Sequence, residues 1–539
     1  MVLDDTLKVL GNAFLRYVLA LADAEDPQNN TNWTTKQQEV HAQLRMMLMQ
    51  LQIPLGDSGG FALYSALSNF VSIVPGTQRS IANLLRIHAG GILMDAPETK
   101  DAFARHMFAL AIESYPSYLL PRPRQGSPSF WTSATLPTHQ HPSGIDAVGE
   151  LLRDDSLQHL FPGSPDAESI RSFSDAVDVS SYWTLSNGQG GTQQAVLIIG
   201  FILNYAYARL ASTGTAPTLA RYLDHVRQAI AEVRSLARSE VVLVPQLVGF
   251  YNLQLAEGVT VPVADGIFRA PRSGEREVIF PDGGNVHVVL ETKFPLKIVE
   301  IRPWRRGEEL LPIQDDRQSE VFEQSRREAQ RRINDARLAL LLSSEPGSLA
   351  SPVEIANVVL SPVTPGGSVS WRAEVSAPTP AATVTAESAA RAKDWARTIR
   401  TRQAHNLDIG IRRLLSALTT RIDPIDGFVD AVVCWENFFG TQAETTFRVT
   451  GAMAWLLEPG DTTKREALQA ELKRLYETRS RLVHGSAEPE PAEAAGLRDR
   501  AVELATESLR RLYRLPSLLT LKSDTRSRHI LLGALQEQQ

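Results

Sequence analysis

The spacing of apolar residues changes period twice along the chain, and no single layer of secondary structure accommodates both periods. Up to about residue 235 the apolar positions recur every three or four residues, as in "TTKQQEVHAQLRMMLMQLQI" and "TKDAFARHMFALAIESY", the repeat of an amphipathic helix. From about 240 the pattern turns to short β-branched runs separated by turn residues: "EVVLVPQLVGFYNLQL", "VTVPVADGIFRA", "REVIFPDGGNVHVVLETKF" and "LKIVEIRPW". These predict a mostly antiparallel sheet with "DGG" as a hairpin turn. One helix, "SEVFEQSRREAQRRINDARLALLL" (319–342), is followed by strands in "SPVEIANVVLSP" and "GSVSWRAEV". The small, polar, proline-bearing stretch "SAPTPAATVTAES" (376–388) reads as a linker, and "LPRPRQGSPSFWTSATLPTHQHPSG" (120–144) as a long loop. The helical period then returns over about 387–420, 425–440, 443–457, 464–484 and 495–514. The expected fold is therefore mainly α with a central β-rich domain, an α+β multidomain chain. Its parts are a helical region over 1–235, a β-rich domain with an inserted helix over 236–376, and a helical bundle over 385–539. A chain of 539 residues is also too long for one hydrophobic core.

Composition removes several function classes. The single cysteine, Cys434, excludes a disulfide framework and a cysteine-based zinc site, and a reducing cytoplasm is the expected home. The opening "MVLDDTLKVL" carries acid where a secretory signal carries lysine or arginine. The most apolar stretch, "AVLIIGFILNYAYA" (195–208), falls short of the roughly 20 residues a membrane span needs, so a buried helix and no membrane partner are expected. A net charge of −6 argues against a constitutive nucleic-acid coat. Residues 385–539 nevertheless hold 23 Lys+Arg against 21 Asp+Glu, whereas the preceding 384 hold 32 against 40. A polyanion site is thereby permitted in the last third.

Within that third, "YETRSRLVHG" (476–485) concentrates chemistry at one helix end. Thr463 and Glu466 in "TKRE" spell a capping box for the helix start, and Gly485 followed by "SAEPEPAE" spells its stop. His484 then lies in the last turn, where the negative end of the macrodipole favours the imidazolium. Such a group serves as acid or base near neutral pH. Arg479 sits five residues earlier, about 140° around the axis and roughly 7.5 Å along it. The two side chains diverge, which suits them to line a groove, the guanidinium gripping a phosphate while the imidazole moves protons. The bare Arg-x4-His spelling is uninformative, and a second copy, Arg400 and His405 in "RTRQAH", reads as an accident inside one long helix.

Taken with "IRRLLSALTTRIDPIDGFVDAVVCWENFFG" (411–440) and "AETTFRVTGAMAWLL" (443–457), the motif resembles the Apea-like branch of the HEPN superfamily. The resemblance covers about 150 residues. It is specific at Tyr476, Arg479, Ser480, Val483, His484 and Gly485 and looser at Asp423, Asp426, Asp430 and Glu436. Ser480 departs from the Asn, Asp or His of many HEPN proteins but suits this branch. The resemblance implies a HEPN-type bundle, a homodimer through it, and a metal-independent endoribonuclease toxin used in antiviral abortive-infection defence. RNA is then the substrate, with no cofactor and no metal. It places catalysis on Arg479 and His484 with Ser480 in support.

The residues point to the same chemistry. Cleaving RNA without a metal needs a base for the 2′-hydroxyl proton and an acid for the leaving oxygen, and one imidazole cannot do both in one step. Two chains meeting at this helix supply two histidines and two arginines to one phosphate. Glu436 is expected to orient Arg479 through a bidentate contact, and Arg448 and Arg481 to bind backbone phosphates. The first 380 residues are expected to sense a trigger, of phage origin in a defence setting, or to restrain the nuclease. The acidic "AEPEPAE", with Glu488 and Glu490, is expected to repel RNA from the groove. The alternatives are a non-catalytic HEPN module binding RNA or a protein partner, and a metal-dependent nuclease using Asp282, Glu291 and Lys293. For the latter, "PDGGNVHVVLETK" (281–293) gives the spelling, but its strand-like flanks favour a plain hairpin. His139 and His141 lack nearby acid or cysteine for a metal. "SNGQGGTQQ" (186–194) lacks the Gly-Lys-Ser/Thr of a phosphate loop and reads as a turn.

Overall fold

The structure, a computed structural model, describes residues 3–22, 25–27, 29–51, 67–121, 141–280, 285–304, 316–345, 347–364, 368–371, 380–440, 445–485 and 489–533. Most of the 120–144 loop lies outside the described residues. Helices account for 61% of the chain and strands for about 14%, so the fold is mainly α with a separate β region, as the two apolar periods predict.

The principal helices are α1 (Ala195–Ser212), α2 (Leu219–Ala237), α3 (Asp316–Ser343), α4 (Ala386–Arg402), α5 (Asp408–Thr419), α6 (Pro424–Phe439), α7 (Thr445–Leu457), α8 (Thr462–Val483), α9 (Pro491–Arg514) and α10 (Ser523–Leu531). The strands used below are β1 (Ser180–Leu185), β2 (Gly190–Gln194), β3 (Val242–Tyr251), β4 (Leu253–Leu255), β5 (Val261–Val263), β6 (Gly266–Arg269), β7 (Val288–Leu296), β8 (Ile298–Pro303), β9 (Val353–Val359), β10 (Ser368–Trp371) and β11 (Ala382–Val384).

The main sheet has six strands in the order β10-β9-β3-β7-β6-β5, with every neighbouring pair antiparallel. Both of its faces are covered, which is why β3 and β7 read as nearly continuous apolar runs rather than alternating ones. Val244, Leu247, Val289 and Phe294 join the core of the first helical region. Val248, Phe250, Val288 and Leu290 pack instead with Ile333, Ala336 and Leu340 of α3 and Ala389 and Ala392 of α4. Helix α1 belongs to the first core, with 72% of its 18-residue window buried inside the protein. It is long and apolar enough to cross a membrane by length and composition alone, and its burial fits the core helix predicted from its sequence.

Helix α3 ties the sheet to the bundle. Two turns of it face the sheet, while Leu338, Ala339, Leu341 and Leu342 enter the bundle core beside Leu414, Trp435 and Leu509. Its C-terminal carbonyls receive guanidiniums from the bundle: Arg510 donates to the Leu342 carbonyl at 3.0 Å and the Ser344 carbonyl at 2.5 Å, and Arg391 to the Ser343 carbonyl at 3.2 Å. Cations there oppose the negative end of the helix dipole.

Four expectations are corrected. The helical period over 387–420 is broken at Gln403, which is left-handed (φ 36°), because Asn406 donates to the Leu519 and Leu521 carbonyls at 3.1 and 2.7 Å and pulls the chain out of line. Part of the supposed linker is β11, parallel to β4, followed directly by the Thr385 cap of α4. The first helical region contains the β1–β2 hairpin, which pairs with β8; its turn falls within 186–194, as predicted. The "REV" segment is not a strand but a short helix, Ser273–Val278, because buried Glu275 accepts from the Arg272 backbone at 2.9 Å and from Arg269 at 2.7 Å. The "DGG" turn itself lies outside the described residues, and β7 pairs with β3 and β6.

In the bundle, α6 packs against α5, α7, α9 and α10, and the Trp435 indole donates to the Ala501 carbonyl at 3.1 Å. Its C-terminus is fixed by Arg526 of α10, which is fully buried. That guanidinium donates to the Phe438, Leu518, Leu519 and Leu521 carbonyls at 2.6, 2.9, 3.1 and 2.6 Å. Burial without an acidic partner pulls its pKa down to about 10, and the four carbonyls keep it charged at neutral pH. Removing it takes the side-chain donor from the buried Phe438 carbonyl and one of two donors from each of the Leu518, Leu519 and Leu521 carbonyls. Arg526→Ala is expected to cost about 3 kcal/mol or more in urea unfolding, while Arg528→Ala, one exposed residue pair further along the same helix, is expected to change stability by under about 0.5 kcal/mol.

Candidate active site

Helix α8 runs for 22 residues and carries the motif on its last two turns. Its start differs from the expected capping box: Asp461 is the cap, accepting from the Lys464 backbone at 3.0 Å, and Thr463 is already helical. The α7–α8 hairpin is locked by Arg465, whose guanidinium lies 3.6 Å from the Trp455 ring centroid and donates to the Glu458 and Pro459 carbonyls. Gln469 donates to Thr450 Oγ1 at 3.3 Å and sets the register. The end of α8 is as predicted: the His484 backbone donates to the Ser480 carbonyl at 3.2 Å, and Gly485 closes the helix in the left-handed conformation (φ 78°), its N–H donating to the Leu482 carbonyl.

Glu436 of α6 faces this end. One of its carboxylate oxygens accepts the Tyr476 hydroxyl at 2.6 Å and the other accepts Arg479 Nη2 at 3.3 Å. The contact to Arg479 is thus single rather than bidentate, because Tyr476, one turn earlier on the same face of α8, takes the second oxygen. Burial, followed by the Glu436 charge, pushes the tyrosine ionisation well up, so its proton stays in place as a donor. Arg479 is 22% exposed, and its Nε is buried with no hydrogen-bond partner among the described residues. A half-buried guanidinium held at one corner keeps donors for an incoming acceptor. His484 is exposed and its ring has no partner among the described residues. The structure brings Glu436, Tyr476 and Arg479 together and leaves the imidazole facing solvent at the helix end.

The other predicted residues fall around this group unequally. Ser480 is half-buried and its carbonyl accepts the His484 backbone. Arg481 is exposed and donates to Thr478 Oγ1 at 3.1 Å. Arg448 is half-buried on α7; given the Gln469–Thr450 register, it lies about 12 Å before Arg479 along the α8 axis. The three acids of the looser motif serve the other end of α6. Asp423 caps it, accepting from the Ile425 backbone at 2.8 Å. Asp426 is 3.8 Å from Arg421, and buried Asp430 is held by Arg413 at 2.7 Å and Arg421 at 2.8 Å. Of the acidic segment, Glu488 lies outside the described residues, and Glu490 is exposed immediately before α9. Tyr476 was a motif position without an assigned role; its i, i+3 spacing to Arg479 was the available signal.

The metal-nuclease spelling lies only partly within the described residues. Asp282 lies outside the described residues, and the Glu291 carboxylate is occupied by Arg269 at 2.7 Å and Arg272 at 3.3 Å. Lys293 is exposed on β7, opposite Pro245. No group of three His, Cys, Asp or Glu able to hold a metal occurs among the described residues. His139 is outside the described residues; His141 is buried and caps a helix, accepting from the Ser143 backbone at 3.0 Å.

The second Arg/His pair does not share one helix: Arg400 is in the last turn of α4 and His405 lies beyond its end. Arg400 and His405 flank the break at Gln403 and line a cavity of about 230 Å³ between the sheet, α3, α4, α5 and α9. Asp335 of α3 also lines it, with no hydrogen bond or ion pair among the described residues. Burial, and beyond it the charges of Asp408 and Asp265, raise the Asp335 pKa to about 6 against the opposing pull of Arg331.

Comparison with protein-family models, with curated proteins and with solved structures found no match.

Because the Asp335 pKa is higher folded than unfolded, the folded protein binds this proton more tightly, and stability drains away as pH rises from about 4 through about 6. Asp335→Asn is expected to stabilise the protein by about 1–2 kcal/mol at pH 7.5 and to leave it unchanged at pH 4, as read from urea unfolding at the two pH values.

Proposed function

We propose that the chain is a metal-independent endoribonuclease effector of the Apea-like HEPN type, working as a homodimer through its helical bundle, with RNA as substrate. The observation that carries this reading is Arg479. It is anchored by Glu436 through Nη2 and 22% exposed, one and a half turns from an exposed histidine at a capped helix end. A guanidinium so held is pre-organised for an anionic oxygen without rearrangement at the moment of reaction.

In the proposed step, His484 of one copy removes the 2′-hydroxyl proton. The 2′-oxygen attacks phosphorus, the bond to the 5′-oxygen breaks, and the partner's His484 delivers a proton to that leaving oxygen. Arg479 from each copy stabilises the charge on the phosphorane. The products are a 2′,3′-cyclic phosphate and a 5′-hydroxyl. Glu436 and Tyr476 act through Arg479 as positioning residues, while Ser480, Arg481 and Arg448 contribute support and backbone contacts. Residues 1–376 sense a trigger or restrain the nuclease. A defence effector triggered by phage and acting in the cytoplasm fits these parts. The reading as a metal-dependent nuclease loses its support with Glu291 held by two arginines. A non-catalytic HEPN module remains as the second reading, separated by the experiment.

Purified chain incubated with mixed RNA in EDTA is expected to release fragments ending in 2′,3′-cyclic phosphate. His484→Ala is expected to lower the rate by about 10²-fold or more, and Arg479→Ala by a similar factor. Glu436→Gln should cost less, chiefly in kcat. Equal background cleavage by wild type and His484→Ala, with RNA still bound, selects the non-catalytic module.

A further inference from the structure

We propose that the cavity between the β5–β6 turn and the bundle is a binding site for a small alkylammonium or alkylguanidinium, one N–H-bearing cation on a short apolar chain. The cavity holds about 230 Å³, several times the ~30 Å³ share of one water. One part of its wall is apolar, with Leu290, Ile333, Ile399 and Ile411. The other part presents the Asp335 and Asp408 carboxylates and Tyr513.

Tyr513 is the independent sign of a ligand. It is 2% exposed, yet its hydroxyl has no hydrogen-bond partner among the described residues, although it feels the charges of both Asp335 and Asp408. The ring is enclosed and the residue lines the cavity, so the hydroxyl is left open to a partner held there. The charges lining it fix the sign of the guest. Arg332 is taken by Glu328 at 2.6 Å, and Arg400 by Asp265 at 3.2 Å and the Ala264 carbonyl at 2.7 Å. Asp335 and Asp408 then face one remaining cation, Arg331, with His405 3.7 Å from Asp408. Counting histidine as neutral, the lining is negative by one unit, which a monocation balances. A metal ion does not fit, because the carboxylates are spread around the wall and no three ligands converge among the described residues. An extended molecule reaches them, with its N–H donors on the acids and its carbon chain on the isoleucines.

Such a guest touches β5–β6, α3, α4 and α9 together, so occupancy clamps the sheet to the bundle. The site stands whether or not the chain cleaves RNA.

The test is calorimetric titration of the full chain at pH 7.5 with butylamine and butylguanidine, against tetramethylammonium, butyrate and Mg²⁺. Saturable one-to-one binding of at least one of the two N–H cations is expected, with a rise in unfolding temperature. Affinity is expected to fall about tenfold or more in Asp335→Asn and in Tyr513→Phe, and to be unchanged in Arg528→Ala. It should also weaken from pH 7.5 to 5.5 as Asp335 takes up a proton opposite Arg331, Glu328, Asp265, Arg400, His405, Asp408 and Tyr513. Asp335→Asn is expected to fold more stably than wild type, and Tyr513→Phe keeps the ring, so both variants report on binding. The proposal is overturned by absence of saturable binding up to about 10 mM, by equal affinity in both variants, or by tetramethylammonium, butyrate or Mg²⁺ binding as tightly.

Discussion

A single carboxylate, that of Glu436, joins the central helix of the bundle to the last two turns of α8. Its two oxygens are divided between the Tyr476 hydroxyl and the Arg479 guanidinium. This division fixes the rotation of α8 about its axis, and with it the direction in which Arg479 and the helix end point. Glu436 is itself held from behind, because the Phe438 carbonyl two residues on is clamped by the buried Arg526. Stability and site geometry therefore run through the same helix end. Losing the guanidinium takes a donor from all four carbonyls at once, and the Asn406 amide and the Leu521 N–H still serve only the three at 518–521.

The β region and the bundle meet through α3 and α4, each with one stretch on the sheet and one in the bundle core. A signal received on the far side of the sheet has a continuous packed path to the bundle, and the polar cavity sits on that path. Sensing by the first 380 residues, if coupled to cleavage, has this junction as its physical route, since packed interfaces hold discrete arrangements rather than deforming smoothly.

Much of this was legible in the sequence for local reasons. The mainly-α class with a β insertion followed from the two apolar periods, and the end of α8 followed from Gly485 and the prolines behind it, because helix termination is decided within a few residues. What escaped was decided by distant partners. The break at Gln403 depends on carbonyls more than a hundred residues away. The helix at 273–278 depends on Arg269 and a buried Glu275 that look like ordinary surface charges in sequence. The strand inside the supposed linker exists because β4 offers it a free edge. At the site, the Arg479–Glu436 contact was foreseen, but the claim of Tyr476 on the other oxygen was not. The second Arg/His pair read as noise; the cavity it lines is assembled from residues as far apart as Asp265 and Tyr513. The HEPN resemblance rests on residues 411–485 and on the chemistry they offer.

The central claim is that two copies of His484 act on one phosphodiester. The most direct measurement is EDTA-resistant RNA cleavage by wild type mixed in increasing proportion with His484→Ala, at constant total protein and after subunit exchange. A site that needs both histidines predicts activity falling with the square of the wild-type fraction, to about one quarter in an equal mixture. A linear fall to about one half, or no EDTA-resistant cleavage to dilute, contradicts it.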